Sequence, residues 1–289
     1  MRFNKYLVSL LALFHIGLPL KAENIILDFG GVVIDTSRKS TTWQVGPLKF
    51  MRYILAGNGT RGMSNTLRNR LFAFFNLIEP RHSDEVLACD EQGNLLPQCM
   101  CDLLAGRRSM EETLYIINVA LEKHSAFFKN KSEKKLISAI TRMMFNPKIF
   151  AKTRKLIPDT LAFIKDCKKD GHNIYGLSNW DKESGKLVIK EFKLDKYFDG
   201  IVLSGDVGYI KPDPAIYVKL LQEHNLDPEE CIFFDDCPEN IETARALGMH
   251  AVLYDKTCTA DDMYLALYEW EQSKAAYNNF AADYGIGRS

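Results

Sequence analysis

Short apolar runs in this chain end at polar residues, and stretches with helical spacing fill the intervals between them. Ile25-Ile-Leu stops at Asp28, after which two glycines and further apolar residues carry the strand region to about Val33. Residues 173–177 stop at Ser178-Asn179, residues 200–203 run into Ser204-Gly-Asp-Val-Gly208, residues 231–234 stop at Asp235-Asp236, and residues 251–253 form another run. Residues 158–169 place Leu161, Ile164 and Cys167 on one side of a helix stopped by Gly171. Residues 181–191, 213–224 and 239–247 are helical as well, the last closed by Gly248. Strands alternating with helices of about ten residues specify βαβ units. The expected fold is α/β, a Rossmann-like parallel sheet flanked by helices.

More than a hundred residues separate the first strand from Pro158, whereas a crossover needs only about a dozen. Residues 48–55, 65–77, 110–121 and 132–144 carry apolar positions three and four apart, so the surplus predicts an inserted helical cap. Residues 57–62 and 89–98 read as loops. The expected division is a core of residues 23–36 and 146–289 with a cap of residues 37–145. A lid at that place in the chain would close over the strand ends and exclude water.

A parallel sheet gathers its chemistry at the carboxyl ends of its strands. Those ends offer Asp28, Ser178-Asn179, Lys211 just past a strand, and the pair Asp235-Asp236. Each has a structural reading too. Asp28 can be a polar residue before a glycine turn, Ser178-Asn179 can cap the next helix, and Asp235-Asp236 can favour a helix N-terminus electrostatically. Lys211 by default is a solvated loop residue, although Pro212-Asp-Pro214 makes a rigid entry to the following helix.

Composition narrows the partners. The 289 residues are 46% hydrophobic, with 37 basic and 37 acidic side chains. No basic stripe with interleaved aromatics argues for nucleic acid, and Lys131, Lys134 and Lys135 read as the solvated face of a helix. Residues 1–22 resemble a secretory signal: Arg2 and Lys5 precede an apolar segment, and Ala22 is a plausible cleavage point. Export to the periplasm or medium is expected, with no stable membrane span after cleavage; an uncleaved anchor is the alternative. Export would permit disulfides, and Cys89 with Cys99 or Cys101 is the expected local bridge. Cys167, Cys231 and Cys237 read as small buried residues. The histidines form no cluster, and Trp43, Trp180 and Trp270 read as packing residues, with Trp180 also placed to line a pocket mouth.

Together, Asp28-Phe-Gly-Gly-Val-Val, Leu177-Ser178-Asn179, Lys211-Pro212-Asp213-Pro214 and Phe234-Asp235-Asp236 with Asn240 resemble the haloacid dehalogenase superfamily, in its branch with a helical cap after the first strand. The stretch Leu103-Leu-Ala-Gly-Arg-Arg-Ser109 is similar to a turn and helix of related caps. The resemblance implies that Asp28 is a nucleophile attacking phosphorus. It implies that Ser178, with backbone amides near Asn179, holds phosphoryl oxygens and that Lys211 neutralises charge. Mg²⁺ would be bound by Asp28, the Gly30 carbonyl and Asp236, with Asp235 and Asn240 behind them.

One position departs from the pattern. Phosphatases of this superfamily carry an acid two residues after the nucleophile, and here that residue is Gly30. Positioned proton transfer contributes about 10²–10⁴ in rate. Three readings follow: a substrate whose leaving group needs little protonation, such as a sugar 1-phosphate or acyl phosphate; a proton supplied by the cap or by Asp35; or weak turnover in a protein that binds phosphorylated ligands or partners. Dehalogenases of the superfamily also lack that acid, but generally lack the paired acids kept here. The expected activity is a Mg²⁺-dependent phosphatase acting on a small phosphorylated metabolite.

Overall fold

The structure, a computed structural model, describes residues 23–58, 62–80, 88–90 and 93–283. The expected signal segment lies outside the described residues. Five parallel strands form the central sheet in the order β5-β4-β1-β6-β7, where β1 is Asn24–Leu27, β4 Asn173–Ser178, β5 Gly200–Leu203, β6 Cys231–Asp235 and β7 His250–Leu253. The chain winds outward from β1 through β4 to β5, then returns to the other side of β1. The order therefore reverses at β1, the point where such sheets open a crevice at their carboxyl edge.

Both faces of the sheet are covered, which explains why its strands are nearly continuous apolar runs. Ile25, Leu27, Ile174, Ile232 and Phe234 pack on one face against Phe163 and Ile164 of the helix Pro158–Lys169 and Met263, Leu267 and Trp270 of the helix Ala260–Asp283. Ile26, Tyr175, Leu177 and Phe233 pack on the other against Ile216, Tyr217 and Leu220 of Pro214–His224 and Ile241 and Ala244 of Pro238–Ala246. The alternation of Ile25, Ile26 and Leu27 between faces is the two-residue period of a strand.

The first strand is shorter than its apolar run suggests. It ends at Leu27, and Gly31, at φ +77°, turns the chain so that Ile34–Thr36 forms a separate strand, β2, antiparallel to β3 (Arg154–Leu156). This ribbon is the doorway through which the chain leaves and re-enters the core. Phe29, Val32 and Val33 remain buried beside the sheet without belonging to it.

Helices 47–53, 63–78, 110–123 and 131–144 of the insertion fall where helical spacing predicts them. Short helices Arg38–Val45, Gln98–Leu104 and Pro147–Ala151 were not legible in the spacing. Leu71, Phe74 and Phe75 pack on Ile117, Leu121 and Ile137 as a core of their own. The insertion meets the sheet domain closely at Gly106, whose absent Cβ would collide with the Gly205 carbonyl, and where the Ser204 hydroxyl donates to the Leu104 carbonyl at 2.6 Å. Trp180 and Trp270 are buried as expected, but Trp43 is 75% exposed and packs no core. Among the described residues no helix is long and apolar enough to cross a membrane.

Candidate active site

Asp28, Ser178 and Asp235 reach one rim because β1, β4 and β6 are adjacent and parallel. Lys211 comes from the loop after the short helix Ser204–Val207 rather than directly from a strand end. Its side chain is 1% exposed, and its three donor positions are all used. The Nζ donates to Asp28 Oδ1 at 2.7 Å, to Asp235 Oδ2 at 2.6 Å and to the Leu177 carbonyl at 2.8 Å. The main chain of Lys211 is fixed by Asn179, which accepts from its N–H at 2.7 Å and donates to its carbonyl at 2.8 Å.

The two adjacent acids after β6 have different surroundings. Asp235 is fully buried, and its other oxygen accepts from the Cys237 N–H at 2.8 Å and from Asn240 Nδ2 at 2.9 Å. With Lys211 on Oδ2, its acceptor capacity is committed to holding the loop. Asp236 instead faces the cavity and lies across Gly31, where a Cβ would overlap its carboxylate. Gly31 therefore serves twice, in its positive φ and in its bare Cα.

Helix capping does not account for the Ser178-Asn179 pair. Asp181 caps the helix Lys182–Phe192, accepting from the Ser184 N–H at 2.8 Å. Ser178 and Asn179 line the cavity, and the Asn179 side chain is engaged by Lys211.

Electrostatics at this rim are unbalanced. Burial pushes the Asp28 carboxyl up to about 6, Lys211 draws it down and Asp235 pushes it up again. Burial also opposes the charge on Lys211, but Asp235 and Asp28 outweigh it and hold the ammonium above the ordinary lysine range. One buried cation thus serves two buried carboxylates, and Asp236 adds a third acid nearby. A divalent cation beside Asp28 would favour its charged form. The oxygens of Asp28 and Asp236 and the Gly30 carbonyl are donors suited to a hard divalent ion such as Mg²⁺, and all three residues line the same cavity.

The cavity over Asp28 has a volume of about 360 Å³. Its floor is Asp28, Gly30, Ser178, Asn179, Lys211, Asp236 and Asn240; its roof is Ser64, Asn65 and Arg68 of the helix Met63–Ile78, with residues 88–90, Leu96 and Leu104. Sequence spacing gave no sign of these roof residues, nor of Lys256, which joins from the loop after β7. Arg68 pairs with Asp90 at 3.1 Å. Asp35 lines a neighbouring cavity of about 310 Å³ with Gly30 and Trp180. Its carboxylate pairs with Lys155 at 3.0 Å and accepts from the Thr36 N–H at 2.6 Å. Although burial opposes it, these contacts hold the carboxyl below its usual range, which suits an anion and not a proton donor. A cleft of about 650 Å³ elsewhere on the inserted helices, lined by Lys49, Arg52, Lys131, Lys134, Lys135 and Arg142 among others, contains none of the strand-end residues.

All the cysteines are free thiols, and Cys89 lies beside Cys237 rather than bonded to Cys99 or Cys101. Cys167, Cys231 and Cys237 are buried.

A parallel sheet with helices inserted after its first strand carries a buried carboxylate and a lysine together at its rim. The model of the haloacid dehalogenase-like hydrolase family matches residues 22–248, and the chain belongs to that family. Drimenol cyclase drtB of Aspergillus calidoustus is 33% identical over 98 residues, which are 33% of this chain and 19% of that protein. The phosphorylated carbohydrates phosphatase of Thermotoga maritima is 34% identical over 64 residues, 22% of this chain and 30% of that protein. The chain thus spans under a third of these curated relatives. Among solved structures, the magnesium complex of HAD family enzyme bt-2542 from Bacteroides thetaiotaomicron superposes with a TM-score of 0.50 at 19% identity, covering 81% of this chain and 93% of that one.

Proposed function

We propose that this hydrolase is a Mg²⁺-dependent phosphomonoesterase acting on a small phosphorylated metabolite with a good leaving group. The observation that carries the reading is the Lys211 ammonium, held between Asp28 and Asp235 in a cavity that Ser178 and Asp236 also line. An oxygen of Asp28 attacks phosphorus, the bond to the leaving oxygen breaks, and an aspartyl-phosphate forms. Lys211 and the Ser178 hydroxyl offset charge on the phosphoryl oxygens. Asp28, the Gly30 carbonyl and Asp236 would hold Mg²⁺, which supplies the remaining positive charge. Water then attacks the aspartyl-phosphate, releasing phosphate and restoring the carboxylate.

Gly30 has no side chain to protonate the leaving oxygen, and Asp35 is paired with Lys155. The anomeric oxygen of a sugar 1-phosphate and the carboxylate of an acyl phosphate depart from phosphorus readily without such help, so these are the substrate classes that fit. The phosphorylated-carbohydrate activity of the Thermotoga maritima relative supports the same direction. Retention of Asp236 in the cavity favours phosphorus over carbon–halogen chemistry. The test is a screen of phosphorylated metabolites, with and without Mg²⁺, on the wild type and Asp28→Asn. Metal-independent turnover, or activity surviving in Asp28→Asn, overturns the mechanism.

A further inference from the structure

At the edge of the active-site cavity, the Cys89 thiol from the insertion meets Cys237 and Glu239 from the core. The ligand atoms of these three residues all lie within 4.8 Å of one another. Cys89 forms a bridge with Leu95, and beside it the Leu96 N–H donates to the Ala88 carbonyl at 2.8 Å. Cys237 follows Asp236 directly, and its thiol donates to Glu239 Oε2 at 3.0 Å. Both cysteines line the cavity, so solvent ions can reach them from within it.

We propose that Cys89, Cys237 and Glu239 form a second cation site, selective for a soft or borderline ion such as Zn²⁺, that ties the cap to the core at the lip of the active site. Two sulfurs and one carboxylate oxygen are the donors such ions prefer, whereas Mg²⁺ takes oxygen. The fit is close. Zinc–sulfur bonds of about 2.3 Å place two tetrahedral sulfurs roughly 3.8 Å apart, within the span observed. The sulfur–oxygen pair would open from its present 3.0 Å to roughly 3.5 Å. Three protein ligands leave one position, which opens to the cavity for water or a substrate atom.

The site differs in kind from the strand-end carboxylates: it shares no residue with them and draws ligands from both parts of the fold. One ion there would join a loop of the lid to the turn that carries Asp236. Zinc would then hold the lid against the core and slow exchange of ligands through the cavity.

The test is titration of reduced, chelator-stripped protein with Co²⁺ in excess Mg²⁺, which keeps the oxygen site filled. The expected result is a thiolate-to-cobalt charge-transfer band saturating at one Co²⁺ per chain and displaced by Zn²⁺. Cys89→Ser and Cys237→Ser each cut the band to half its intensity or less, and the double variant abolishes it, while circular dichroism stays native. Glu239→Gln keeps the band but weakens binding by about tenfold or more. Asp28→Asn leaves the band unchanged, so failure of the phosphatase reading does not affect this readout. Absence of a band in the wild type overturns the proposal, as does a band of undiminished intensity in Cys89→Ser. A disulfide between Cys89 and Cys237 that persists under reduction, detected as two missing thiols, also overturns it.

Discussion

Asn179 grips the main chain of Lys211 on both sides, accepting from its N–H and donating to its carbonyl. The side chain that carries the positive charge is therefore positioned by a residue that need not touch substrate. Asn179→Ala is expected to cost about 2 kcal/mol of stability, since two polar groups of a buried loop lose their partner. The same change is expected to lower kcat by about tenfold or more as Lys211 loosens. Thermal melts with steady-state kinetics check both; an unchanged kcat would show that Lys211 is held by its ammonium contacts alone.

Gly30 and Gly31 are adjacent but not equivalent. A Cβ on Gly30 would meet Asp28 Oδ2 at 3.6 Å, an ordinary contact, and its backbone is not in the left-handed region. Gly30→Asp is therefore expected to fold with a Tm close to wild type and to speed hydrolysis of poor leaving groups by up to about 10²–10⁴. Gly31→Ala combines a φ of +77° with overlap on Asp236, and is expected to lose about 1–3 kcal/mol along with Mg²⁺-dependent activity. A plot of rate against leaving-group pKa for each variant separates the two outcomes.

Charge crowding around Asp28 predicts a pH-dependent stability that Mg²⁺ corrects. Its folded carboxyl sits at about 6 against an ordinary 3.8, raised first by burial, so the protonated form is the one folding favours. The stability it contributes is complete below about 3.8 and is lost as pH rises through about 6. In chelator above pH 6, Asp28→Asn is therefore expected to melt several degrees above wild type. Added Mg²⁺ should raise the wild-type Tm far more than that of the variant. Equal Mg²⁺ shifts in both would place the ion elsewhere.

Glu271 on the C-terminal helix predicts a second slope of the same sign, far from the cavity. Burial, then Glu23 and Asp170, push its carboxyl up to about 7 from 4.5, while Lys274 draws it down. Its neighbour His172, 3.7 Å away, is itself pushed down by burial and so is a poor countercharge near neutrality. The Glu271 contribution is intact below about 4.5 and gone above about 7. Glu271→Gln should flatten the stability profile across that interval and exceed wild type by about 1–2 kcal/mol above it. Denaturant midpoints taken at several pH values measure this, and a parallel offset at all pH values would contradict it.

What could be read from residue order was the floor of the site. Polar residues that end apolar runs in a βαβ pattern must meet at one rim, so Asp28, Ser178 and Asp235 came together from strand arithmetic alone. A loop and a short helix separate Lys211 from β5, so its place follows from the family resemblance rather than from strand arithmetic, and its contact with Asp235 has no counterpart in the residue order. The end of the first strand was misjudged because Val32 and Val33 are as apolar as Ile25 and Ile26; the turn at Gly31, not polarity, ends the pairing. The places of Arg68, Cys89 and Asp90 at the cavity had no signal. Their arrival depends on how the cap folds back over the sheet, which neither helical period nor local spacing encodes.

The antiparallel ribbon of Ile34–Thr36 and Arg154–Leu156 is where the insertion leaves and rejoins the sheet domain. Because the inserted helices pack a hydrophobic interior of their own, residues can be exchanged there without repacking the strands. The two walls of the cavity can therefore vary separately, one built from strand-end residues such as Asp28 and Ser178 and the other from Ser64, Asn65 and Arg68 of the insertion.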